Sequence, residues 1–123
     1  MADERVAIVP YDPAWPRRFE GERALLQRVL APWLEGGIHH VGSTAIPGIA
    51  AKPIIDIIAG VRDLQETRAA FDPLRQQSYH HTPHRSGIAH HFDKPKLSVI
   101  AANSRPSSDR AGKRPLARAP RIS

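Results

Sequence analysis

Asp56 interrupts an otherwise apolar run, Ile54-Ile55-Asp56-Ile57-Ile58-Ala59-Gly60-Val61. An ionised carboxylate among such neighbours is costly unless it is paired, hydrogen-bonded or bound to a metal. Two readings follow. In one, Asp56 accepts hydrogen bonds or pairs with Lys52 near the strand end, as structural acids do. In the other, it is aimed into a cleft at the carboxyl end of a strand, where open sheets bind ligands. A second feature precedes it: Gly42-Ser43-Thr44 places a residue without a side chain before two hydroxyls. Such a turn lets backbone N–H groups approach an anion closely, and the hydroxyls add donors. Gly-Ser-Thr alone is more often an ordinary turn. Here a strand candidate stands before it, and Asp56 follows Thr44 by twelve residues. The chemistry implied is anion binding beside a carboxylate.

The same stretch is not a nucleotide-binding P-loop. That pattern needs Gly-Lys-Ser/Thr contiguous before a helix. Here Ile49-Ala50-Ala51 separates Gly48 from Lys52, and Pro53 follows. The seven histidines come mostly as adjacent pairs, His39-His40, His80-His81 and His90-His91, with His84 apart. Neighbours on a strand face opposite ways, so each pair offers one ligand per face. His80 and His84 would share a helix face, but Pro83 opposes a helix there. The pattern favours solvated or hydrogen-bonded histidines over a dedicated metal site. His40, just before the Gly-Ser turn, is the one placed to point into a site.

These residues need elements to position them. Residues 5–9 read as a short strand closed by Pro10. Asp12-Pro13 is a helix start, and Phe19, Leu26, Val29, Leu30 and Trp33 recur at helical spacing over residues 13–34. Tyr11 and Trp15 are expected to anchor the first turn. Pro32 and Gly36-Gly37 end the helix. Residues 38–41 form a second strand candidate, and 54–61, apolar on both faces, reads as a central buried strand. Asp63 and Glu66 form a capping-box-like start to a second helix, with Leu64, Ala70, Phe71 and Leu74 inward and Pro73 as a flaw. Residues 78–82 and 87–92 are two weaker strand candidates.

The chain has 123 residues and a net charge of +6, so one domain is expected. With no cysteine, disulfides, thiolate metal sites and cysteine nucleophiles are excluded, and a cytoplasmic setting fits. The apolar runs are far below a membrane span. Six of the eighteen basic residues lie in residues 104–123, against one acid, Asp109. The rest of the chain, with twelve basic and eleven acidic residues, is nearly neutral. The tail is Arg/Pro/Ser-rich, without aromatics. It reads as a disordered end capable of weak phosphate contacts and no sequence-specific nucleic-acid binding. The expected organisation is a folded body, residues 1–103, and this basic tail.

Two long segments resemble the GrpB family: Val9-Pro10-Tyr11-Asp12-Pro13-Ala14-Trp15-Pro16, and residues 40–57, which contain His40-Val41-Gly42-Ser43-Thr44, Ala45-Ile46-Pro47-Gly48 and Lys52-Pro53-Ile54-Ile55-Asp56-Ile57. Tyr79 and Phe92-Asp93-Lys94 are weaker matches. The family is usually placed in the polymerase beta-like nucleotidyltransferase superfamily. The resemblance implies an α/β (α+β) fold with a small mixed sheet and packed helices. It also implies that Gly42 and Ser43 match a phosphate-holding turn and that Asp56 matches the first catalytic, metal-binding carboxylate. The second carboxylate position is Ile58, and a third has only Asp93 as a candidate. One Asp is a poor site for Mg²⁺, which prefers an octahedron of oxygens, and a two-metal displacement needs several carboxylates.

GrpB-like chains continue past the Phe-x-Lys segment with a further strand and helical part. Here Leu97-Ser98-Val99-Ile100 leads instead into the basic tail, as a truncated gene, an altered reading frame or a naturally divergent tail would. The fold is therefore expected to be incomplete at its C-terminus. The favoured function is a degenerate, non-catalytic domain binding a nucleotide or other phosphorylated small molecule through Gly42, Ser43, Thr44 and Lys52. The alternative is a nucleotidyltransferase acting on a small acceptor, with Mg²⁺ on Asp56. No membrane partner is expected.

Overall fold

In a computed structural model that describes residues 7–82 and 89–104, Asp12 starts the first helix. Its Oδ1 accepts the N–H of Ala14 at 2.8 Å, and Pro13 has no N–H to leave unpaired. Helix α1 (Ala14–Leu30) buries Trp15, Phe19, Leu26 and Leu30, and Tyr11 meets Trp15 edge-on with ring centroids 5.3 Å apart. The helix stops four residues before the expected end at position 34. Ala31 keeps helical backbone, but Pro32 has no N–H to continue the ladder, and Trp33 N–H closes the turn on Leu30 O at 2.8 Å.

Strand β1 (Leu34–Val41) therefore begins earlier than expected and takes in Gly36 and Gly37. The register against its neighbour shifts between Leu34 and Gly37, a bulge made possible by Gly37 at φ +84°. β2 (Ile55–Val61) follows a short 3-10 turn at Ser43–Ala45. A Cβ on Gly60 would lie 2.7 Å from Gly36 Cα, so the two backbones meet at the bulge only because both residues lack side chains.

Asp63 caps α2 (Leu64–Thr67), its side chain accepting Glu66 N–H at 3.0 Å. The Glu66 carboxylate turns to Arg62 at 2.8 Å, so the reciprocal half of a capping box is absent. The expected single helix is three pieces: α2, a 3-10 turn at Arg68–Ala70 and α3 (Phe71–Gln76). The break places Pro73 in the first turn of α3, where a missing N–H costs nothing. Three short strands complete the sheet: β3 (His80–Thr82), β4 (Ala89–Lys94) and β5 (Leu97–Asn103).

The sheet order is β1-β2-β5-β4-β3. β2 and β5 are parallel and the other pairs antiparallel. One face carries the core. Ile55, Ile57, Ala59 and Val61 of β2, Val99 and Ala101 of β5, and Phe92 of β4 pack with the buried residues of all three helices. β2 is interior, paired on both edges, but the middle strand is β5, and β2 is covered on one side only: it alternates between buried and more exposed positions, and Ile58 is 37% exposed.

Of the strand expected over residues 5–9, the described part, residues 7–9, does not add a strand to this sheet. Val9 makes an isolated antiparallel bridge to Ala51, and residues 5 and 6 lie outside the described residues, as do 83–88, with His84 and the first two positions of the expected 87–92 strand. Residues 97–103, read from sequence as the run into a tail, instead form an interior strand. Of the expected tail, only Ser104 is described, its N–H donating to Val61 O at 2.9 Å. No helix among the described residues is long and apolar enough to cross a membrane.

Candidate functional site

The end of β1, the turn after it and the start of β2 meet at one cleft of about 340 Å³, lined by Ile8, Ser43, Thr44, Ala50, Ala51, Lys52, Ile54 and Asp56. Three local features build it. Gly42 has φ +79°, a backbone state open to glycine at little cost, and it reverses the chain out of β1. The 3-10 turn closes with Ala45 N–H on Gly42 O and Ile46 N–H on Ser43 O; the amides of Ser43 and Thr44 are not its donors. The paired amides and carbonyls of Val9 and Ala51, at 2.9 and 3.0 Å, draw the N-terminal segment across the mouth.

Asp56 is the second residue of β2. It sits at the amino end of the strand, not at the carboxyl end expected from sequence, because Pro53 holds the preceding residues out of the ladder. Its carboxylate packs on Gly42: a Cβ there would stand 2.6 Å from Asp56 Oδ2. Burial raises the Asp56 pKa above the ordinary carboxylate value, partly offset by His40. No ion pair joins Lys52 to Asp56 among the described residues, although both line the cleft.

His40 does not enter the cleft. It lies opposite Ile57 on the core side of the sheet, stacked on Phe19 with centroids 4.9 Å apart and 18° between planes. Its Nε2 is 3.0 Å from Thr44 Oγ1, and burial lowers its pKa, with Asp56 opposing. Thr44 is 1% exposed, and its hydroxyl donates to Ile54 O at 3.2 Å. The Thr44 side chain thus ties the turn to β2, and Ser43 is left as the hydroxyl that faces outward.

On the uncovered face, cross-strand partners form a row: Val41, Asp56, Ser98, Asp93 and His80. Asp93 therefore shares a face and a row with Asp56, two strands away, on the order of 10 Å between Cα atoms. Thr82 Oγ1 donates to Asp93 Oδ2 at 3.1 Å. Ile58 projects on the same face as Asp56, where a second carboxylate would stand. Sequence reasoning had no signal for Ser98, which comes beside Asp56 only through the parallel β2–β5 pairing. No group of three or more His, Asp or Glu side chains that could hold a metal occurs among the described residues. One carboxylate, an isoleucine at the second position and an acid two strands off do not fit the oxygen set of Mg²⁺.

Comparison with known proteins matches this geometry to a family. The GrpB protein pattern matches residues 5–111. A UPF0157 protein of Pseudomonas aeruginosa is 54% identical over 57 residues, covering 46% of this chain and 23% of that protein. Glutamate-rich protein GrpB of Alkalihalophilus pseudofirmus is 38% identical over 77 residues, 62% of this chain and 44% of its own length. The crystal structure of conserved protein GrpB from Enterococcus faecalis superposes with a TM-score of 0.75 at 26% identity, over 84% of this chain and 65% of that one. The chain thus spans less than half the length of these two sequence relatives. The Gly-Ser turn and Asp56 stand within the matched residues, on a fold shared with a solved GrpB, and the chain belongs to the GrpB family.

Proposed function

We propose that the cleft is a phosphate-binding site without metal-dependent catalysis, taking a nucleotide or another phosphorylated small molecule. The observation that carries this reading is the convergence of Ser43, Lys52 and Asp56 on one cleft beside an isoleucine at position 58. The Ser43 hydroxyl and turn amides supply donors to an anion, and Lys52 supplies the positive charge. Asp56 accepts a hydrogen bond from a ribose-like or protonated group at the other end of the ligand. A metal-dependent nucleotidyl transfer to a small acceptor is the second reading, favoured by Asp93 in the row of Asp56.

Thermal shift against a nucleotide panel, with and without Mg²⁺, separates the two, because a ligand of the native state raises the midpoint. Stabilisation by nucleotides independent of Mg²⁺ is expected. An absolute requirement for Mg²⁺, lost in Asp56→Asn, would favour transfer; no shift with any nucleotide or phosphate would remove both. In addition, Ile58→Asp should confer Mg²⁺-dependent stabilisation absent from the parent. Failure to do so would detach position 58 from the role assigned to it.

A further inference from the structure

The Thr44 hydroxyl has one proton and two partners. It gives the proton to Ile54 O at 3.2 Å, an acceptor only. At its contact with His40 Nε2, 3.0 Å away, Thr44 Oγ1 must then be the acceptor, so Nε2 carries the hydrogen. The result is a directional chain, His40 Nε2–H to Thr44 Oγ1–H to Ile54 O. It joins the end of β1, the 3-10 turn and the residue just before β2. Phe19 fixes the plane of the imidazole from the α1 side, and Thr44 is shielded from water.

We propose that His40 and Thr44 are positioning residues of the cleft: their relay sets the distance between the Ser43 turn and Asp56. Both walls depend on it. Ser43 is adjacent to Thr44, and Asp56 lies two residues past Ile54. Gly42, against which Asp56 packs, is the residue between β1 and the turn. A hydrophobic residue of the same shape at position 44 keeps the packing and removes the relay, so burial and positioning can be told apart. The relay also fixes a tautomer that neither packing nor burial requires.

The proposal rests on the phosphate reading of the cleft, and the experiment separates the two. Thr44→Val and Thr44→Ser are compared with the parent in three measurements. Inorganic triphosphate is the calorimetric probe, and an affinity loss of about tenfold is expected in Thr44→Val, with recovery in Thr44→Ser. Imidazole ¹⁵N shifts should show the Nε2–H form of His40 in the parent and in Thr44→Ser, and a mixture of tautomers in Thr44→Val. The carboxyl ¹³C titration of Asp56 should move toward the ordinary carboxylate range in Thr44→Val alone. An Nδ1–H tautomer in the parent overturns the relay even if a variant fails to fold. An Asp56 titration identical in all three proteins overturns the positioning role. Absence of triphosphate binding to the parent, with the tautomer and Asp56 responses as expected, would instead overturn the phosphate reading and leave the relay standing.

Discussion

A side chain at position 42 would meet two obstacles. The backbone stands at φ +79°, and the new Cβ would lie 2.6 Å from Asp56 Oδ2. Gly42→Ala should therefore destabilise the protein by about 1–3 kcal/mol, measured by denaturant unfolding, and displace Asp56 from the cleft. Asp56 itself has a folded pKa above its ordinary value, chiefly through burial. The folded state thus holds this proton more tightly than the unfolded state. That contribution is fully present below the ordinary carboxylate pKa and is lost as pH rises through the raised value. Asp56→Asn should accordingly be more stable than the parent at pH 7, with the difference shrinking toward pH 4; a less stable variant at pH 7 would show that Asp56 is a structural partner. The proximity of Ser43, Lys52 and Asp56 was legible in the sequence. The side on which His40 stands was not, because adjacent strand residues alternate and only the register decides which one faces the cleft.

β2 shows what an apolar run can and cannot reveal. Eight residues with one charge mark a strand and its interior place, next to the middle strand β5. They say nothing about which face is covered, since Ile57 and Ile58 are chemically identical. Ile57 is buried and Ile58 is partly exposed. Ile57→Ala should cost about 2–5 kcal/mol and Ile58→Ala no more than about 0.5 kcal/mol; equal costs in chemical denaturation would mean that the outer face is covered as well. The Leu64–Thr67 and Phe71–Gln76 segments read as one helix because their inward residues keep helical spacing across the 3-10 turn. β5 escaped notice for a compositional reason: its alternation of Leu97, Val99 and Ala101 inward with Ser98 outward is brief and runs directly into Arg/Pro/Ser sequence.

At the scale of the molecule, one ion pair crosses from α1 to the far half of the sheet. Lys94 Nζ lies 2.7 Å from Glu22 Oε2, both side chains largely buried. The ammonium also sits 4.4 Å from the Tyr79 ring centroid and donates to Gln77 O at 3.2 Å. Removing one member leaves a charge without its counterion, so Glu22→Gln should cost about 3 kcal/mol. The double variant Glu22→Leu/Lys94→Met should recover most of that loss, and a double-mutant cycle measures the difference.

The strand order has a consequence for how the protein is made. β5, the last strand among the described residues, lies between β2 and β4. On a ribosome, α1, β1 and β2 emerge first and β3 and β4 later, yet the two sets share no ladder until Leu97–Asn103 has left the exit tunnel. Synthesis at about 5–20 residues per second leaves the inner edge of β2 unpaired for several seconds, a template that other nascent strands can occupy. β5 works as a keystone. Its arrival joins the two halves of the sheet, because it alone carries ladders to both β2 and β4.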